Sequence, residues 1–152
     1  MVPTEPVPEG NDPRPLLYGM PTWADMFSSR QLLALGSFVE TLRDLRDEMR
    51  RTMDEDRAAA AVTYLAMAVN KAINYNSYLA SWHVSRGVIR SVFDRHDFSF
   101  KWSFGEFDAS GNLLPWSLDQ VYNAYTGIAE LLHPSETTLE GNRLKHGDLD
   151  IT

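Results

Sequence analysis

Between residues 74 and 102 the chain gathers the side chains best suited to holding a polyanion. Arg86, Arg90, Arg95 and Lys101 stand there against two carboxylates, Asp94 and Asp97, in a chain whose formal net charge is −7. A local basic surface on an acidic body follows from that imbalance, whereas bulk electrostatic coating of nucleic acid does not. Among the cations lie Trp82 and His83, flat rings able to stack on a base, and just before them Asn74 and Asn76, whose amides can donate and accept. Each group has a structural reading beside the binding one. The arginines can pair with carboxylates of a neighbouring element. The asparagines, indifferent helix formers that need partners when buried, can cap a helix or tie down the loop after it.

Next comes a row of rings. Phe98, Phe100, Trp102 and Phe104 alternate with Ser99, Lys101 and Ser103, the period of an extended segment with one aromatic face. Such a face is more often core or interface than a base-stacking platform. The strand must find a partner edge; if none exists within the chain, these four residues become a docking surface for another domain or subunit.

Other chemistries lack their residues. There is no cysteine, so disulfides, thiolate ligands and thiol nucleophiles are excluded, and the four histidines show no pair at helical ligand spacing. No metal site is expected. The chain carries no phosphate-cradling glycine loop after a strand, no nucleophile elbow and no histidine-rich metalloprotease helix. Glu106 and Asp108 lie two apart, which is more simply a solvated loop than an acid/base pair. No catalytic residue is assigned.

The elements that must position these groups are mostly helical. Residues 1–21 contain six of the eight prolines and read as an extended arm, because proline holds itself and its predecessor away from helix. Ser28 and Gln31 form the two halves of a capping box, and Leu32, Leu35, Val39, Leu42, Leu45 and Met49 recur at helical spacing behind it. Asp54 caps a second helix, expected over 55–79, whose alanines permit close packing on the first as an antiparallel hairpin. Ser85 then predicts a short helix over 86–93 that places Arg86 and Arg90 on one face. Ser117 with Gln120 predicts a third main helix carrying Leu118, Val121, Tyr122, Tyr125, Ile128, Ala129 and Leu132, stopped by Pro134. The expected fold is mainly α: a small bundle of three main helices plus one short helix, with one short extended aromatic segment and a Pro-rich N-terminal arm. Its parts are an arm over 1–22, a helical domain over 23–134 and a polar tail over 135–152.

An apolar fraction of 43% and a charged fraction of 23% are those of a globular protein with one core. No apolar run approaches the roughly 20 residues that cross a bilayer, and the N-terminus lacks the pattern of a signal peptide. A cytoplasmic protein with no membrane partner is expected.

Two segments also carry a family likeness. Tyr18, Gly19, Trp23, Asp25, Phe27 and the run Arg30, Gln31, Leu32, Leu33, Ala34 and Leu35 are followed by Tyr75, Asn76 and Ser77, then by Trp82 and His83. Together they resemble the middle of the large adenine-specific DNA methylases that also carry a zinc ribbon. The likeness covers about two-thirds of the chain and includes irregular polar and aromatic positions beyond helical periodicity. It implies a non-catalytic helical segment or subunit of an S-adenosylmethionine-dependent methyltransferase, with a catalytic domain or subunit as partner and DNA as a candidate ligand. In that family the cofactor loop and zinc ribbon lie upstream and the Asp-Pro-Pro-Tyr motif downstream. None of them occurs here, so this chain is expected to bind no cofactor itself and to sit inside a longer polypeptide or beside a second one. The alternative is a stand-alone helical interaction module whose partner is a protein.

Overall fold

A computed structural model describes residues 2–10, 12–94 and 97–133. The chain is mainly helical, in the order α1 (Arg14–Leu17), α2 (Ser29–Thr52), α3 (Glu55–Ile73), β1 (Ser81–His83), β2 (Val88–Arg90) and α4 (Leu113–Leu132). It divides into two compact units, Met1–Leu118 and Asp119–Thr152. The first holds everything up to the opening turns of α4, and the second begins with the rest of that helix.

Both long helices of the first unit start where their caps predict. The Ser28 hydroxyl accepts from the Gln31 amide at 3.2 Å, while the Gln31 carboxamide oxygen accepts from the Ser28 amide at 2.9 Å. Two amides that α2 leaves without helical partners are thereby satisfied, a contribution of about 1 kcal/mol. Asp54 does the same for α3, accepting from the Arg57 amide at 3.0 Å. With only Met53 and Asp54 between them, α3 turns back on α2. Its small buried residues Ala58, Ala68 and Ala72 allow the close approach expected of a helical hairpin. The core lies at one end of that hairpin, where Leu35, Ala72 and Leu113 meet with Phe27, Phe38, Ile73, Phe107 and Trp116 packed around them.

The N-terminal residues do more than extend. Residues 3–7 run antiparallel beside 21–24, with the Val7 amide bonded to the Pro21 carbonyl and the Trp23 amide to the Glu5 carbonyl. Between these two stretches, α1 opens with Pro15 in its first turn, where a proline lacks nothing the helix needs. Asp25 closes the following 3-10 turn by accepting from the Thr22 amide and hydroxyl at 2.8 and 2.6 Å.

Three expectations are corrected. α3 stops at Ile73 instead of reaching 79, because Asn74 caps it and the chain tightens into turns, Tyr75 bonding back to Ala72 and Asn76 to Ile73. The predicted helix over 86–93 is a hairpin, in which Ser81 pairs with Arg90, Trp82 with Ile89 and His83 with Val88. Gly87 decides this: at φ +63° it takes the left-handed turn position, and the His83 carbonyl accepts from both Arg86 and Gly87. Val88 and Ile89, both β-branched, suit the strand that follows. Finally, α4 opens at Leu113 and not at Ser117, because the Asp108 carboxylate accepts from the Ser110 amide and hydroxyl and from the Asn112 amide group, organising the turn before the helix. Ser117 is an interior, fully buried residue whose hydroxyl has no hydrogen-bond partner among the described residues.

Candidate nucleic-acid interface

The β1–β2 hairpin forms one side of an open groove of about 810 Å³, and the turn leading into α4 forms the other. Trp82, His83, Arg86 and Arg90 line it from the hairpin, Tyr75 and Trp116 from the base, and Glu106, Phe107, Asp108 and Asn112 from the far side. Aromatic surface is continuous along the base. The Tyr75 ring meets Trp116 edge-on at 4.9 Å, Phe107 lies tilted on Trp116 at 5.3 Å, and the Lys71 ammonium sits 5.5 Å from the centroids of both Tyr75 and Trp116.

Two buried asparagines build this groove. Asn76 is 1% exposed; its side-chain oxygen accepts from the Phe107 amide at 3.0 Å and its amide group donates to the Ala72 carbonyl. Asn74 accepts from the Phe93 amide at 2.7 Å, and its own carbonyl takes the Val92 amide. Of the two readings open from the sequence, the tying one has bonds behind it: the side-chain oxygens of both asparagines accept from the chain's own backbone. They anchor the two far segments, 92–93 and 106–107, to the end of α3.

The cations divide. Arg86 stands exposed in the hairpin turn, and no salt bridge of its guanidinium occurs among the described residues. Arg90 pairs with Asp94 at 3.4 Å, close to the pairing anticipated for the arginines, although it now spans a strand and a 3-10 turn. Lys101 donates to Ser99 at 2.8 Å and lines a second, smaller cleft with Arg90 and Asp97. Arg95 lies outside the described residues. Trp82 is 56% exposed, and the His83 Nδ1 lies 3.3 Å from the Ser85 hydroxyl.

Two carboxylates facing the groove, Asp94 and Asp108, are held as anions. A hydrogen bond from the Ser91 hydroxyl, followed by the Arg90 charge, lowers the Asp94 pKa, and hydrogen bonds from Ser110 and Asn112 lower that of Asp108. Glu106 is gripped by Arg30 at 3.0 and 3.2 Å. Neither Asp94 nor Asp108 is arranged as a proton donor at neutral pH. Burial raises the Tyr75 phenol pKa, with the Asp94 charge adding to the effect, so it stays neutral and able to donate. The arrangement is chemically that of a binding groove: flat rings at its base, a guanidinium at its rim with no salt bridge among the described residues, and acids already engaged.

The aromatic row is absorbed more than expected. Phe98 and Phe100 pack on Tyr18 at 5.9 and 5.2 Å, and Phe104 meets Tyr78 edge-on at 4.7 Å. The backbone finds partners too, the Lys101 amide bonding to the Tyr78 carbonyl and the Gly105 amide to the Ala80 carbonyl. Partners for the row thus exist within the chain, so the condition under which all four rings would form a docking surface is not met. Trp102 alone of the four rings is left standing out, 85% exposed.

Sequence reasoning missed Phe107 and Trp116 as groove residues, because their meeting with Tyr75 depends on the turn at 105–112 bringing the start of α4 against the end of α3. No protein-family model, characterised protein or solved structure matches this chain.

Proposed function

We propose that this chain is a non-catalytic helical segment or subunit of an S-adenosylmethionine-dependent adenine-specific DNA methyltransferase, acting in the cytoplasm and holding DNA in the groove beneath the β1–β2 hairpin. The observation that carries the reading is the juxtaposition of Arg86, which has no salt bridge among the described residues, with the exposed ring of Trp82 over an aromatic base formed by Tyr75 and Trp116. A guanidinium at such a rim can meet a phosphate while the rings accept an unstacked base. The likeness of Tyr18 to Leu35 and of Tyr75 to His83 to the methylases supplies the reaction class. The described residues do not fit the cofactor itself. Their two strands are joined by a four-residue hairpin turn instead of leading through a glycine-rich loop into a helix, so S-adenosylmethionine belongs to the catalytic partner.

The test begins with recovery of the tagged chain from its native cells. Mass spectrometry is expected to find a polypeptide with a cofactor loop or an Asp-Pro-Pro-Tyr motif. In that assembly, Arg86→Ala combined with Arg90→Ala is expected to weaken DNA binding about tenfold and to flatten its dependence on salt. Unchanged affinity overturns the DNA role, and recovery of an unrelated protein overturns the methyltransferase reading. A second reading, a stand-alone protein-interaction module, is favoured by the exposure of Trp102. It predicts that Trp102→Ala abolishes association while the arginine substitutions leave it intact.

A further inference from the structure

The polar side of the 98–104 row takes no part in the groove. Phe98, Phe100 and Phe104 pack on Tyr18 and Tyr78, and the alternation that sends the rings one way sends Ser99 and Lys101 the other. Those two open onto the smaller cleft, of about 150 Å³, whose other wall is the open end of the hairpin. There Ser81 and Arg90 are directly paired across β1 and β2, which puts both side chains on one face. Ser91 and Asp97 complete its polar lining.

We infer that this cleft is a binding site for a single phosphate group, separate from the groove. Its size sets the scale of the occupant: about 150 Å³ is well under the roughly 300 Å³ at which pockets for drug-sized ligands begin. Its charge sets the sign. Among the described residues two cations line it against one carboxylate, and that carboxylate, Asp97, is faced by Arg14 at 3.7 Å. Arg90 meets Asp94 through Nε at 3.4 Å, a contact on one of the three guanidinium nitrogens. Lys101 donates to the Ser99 hydroxyl at 2.8 Å, which leaves two ammonium protons and the hydroxyl proton of Ser99 to be given. Ser81 adds a second hydroxyl, whereas Ser91 is already committed to Asp94 at 2.5 Å. A guanidinium, an ammonium and two hydroxyls from two walls match the several acceptor oxygens of a phosphate. The same donors serve a phosphodiester of a nucleic-acid backbone and free phosphate. The inference does not rest on the methyltransferase reading. Arg90 lines both the groove and the cleft, so the test uses Lys101 and Ser99, which line the cleft alone.

Amide NMR spectra of the full chain, titrated with inorganic phosphate at an ionic strength held constant with sodium chloride, are expected to show saturable shifts at Ser81, Ser91, Ser99 and Lys101 and none at Tyr75 and Trp116. Lys101→Ala is expected to weaken binding about tenfold, with Lys101→Arg restoring most of it, and Ser99→Ala about threefold. Absence of saturable shifts overturns the proposal, and so does wild-type affinity in Lys101→Ala. Ser99→Ala removes a single oxygen and keeps the proposal open to refutation should Lys101→Ala fail to fold: wild-type affinity in that variant overturns it too. A short single-stranded oligonucleotide without terminal phosphate then separates the sources. Displacement of inorganic phosphate from the cleft assigns it to a backbone phosphodiester, and phosphate left in place assigns it to the free ion.

Discussion

The side-chain oxygen of Asn76 accepts from the backbone amide of Phe107 at 3.0 Å across 31 residues of chain, in a site where Asn76 is 1% exposed. One amide group thus ties the end of the helical hairpin to the loop that carries Phe107 and introduces α4. The groove exists because that tie and its neighbour, Asn74 to Phe93, hold two irregular segments against one helix end.

Replacing Asn76 tests the tie directly. Asn76→Leu leaves the Phe107 amide buried without an acceptor, a loss of about 1–3 kcal/mol, with some strain from fitting the different shape. Urea unfolding of Asn76→Leu beside Asn123→Leu, an exposed control, is expected to separate the two by that margin. Equal midpoints would show that the bond is not needed to hold the loop.

Gly105 and Ile89 form a second constraint. A Cβ at Gly105 would lie 3.1 Å from Ile89 Cγ2 and 3.2 Å from Cγ1, so the Ile89 side chain would have to give by a few tenths of an ångström. Gly105→Ala is therefore expected to cost about 1–3 kcal/mol by overpacking. Shortening the neighbour with Ile89→Ala should recover part of that cost, visible as favourable coupling in a double-mutant cycle. Additive losses would contradict the contact.

Acid should weaken the fold through identifiable carboxylates. Asp12 is drawn from 3.8 to about 2, chiefly by hydrogen bonds from the Arg14 side chain, and Asp25, Asp94 and Asp108 are lowered by Thr22, Ser91 and Ser110 respectively. A carboxyl whose folded pKa lies below its unfolded one contributes stability that is complete above the unfolded value and is lost as pH falls through the folded value. For Asp12 the window runs from 3.8 down to about 2. Thermal unfolding followed by circular dichroism is expected to show a falling midpoint across that window, shallower in Asp12→Asn. Because these groups are exposed or only partly buried, the effect should shrink with added salt.

Features that depend on neighbours within a few residues can be read from the chain before it folds. The capping box of Ser28 and Gln31, the Asp54 cap and the helical spacing behind each place α2 and α3, because the groups that satisfy a helix start lie within one turn of it. Clustering of Trp82, His83, Arg86 and Arg90 also marked the region that forms the groove. Only the tertiary structure decided what those residues do. Ser85 and the paired arginines carried a helical signal locally, yet Gly87 in a left-handed turn and the packing of Ile89 beneath Gly105 make the segment a hairpin. Asn74 and Asn76 looked alike as binding groups or as ties until their partners, 19 and 31 residues away, were in place. The reason is physical: a cap is closed by adjacent backbone, whereas a buried amide or a ring is defined by whichever distant segment the fold brings to it.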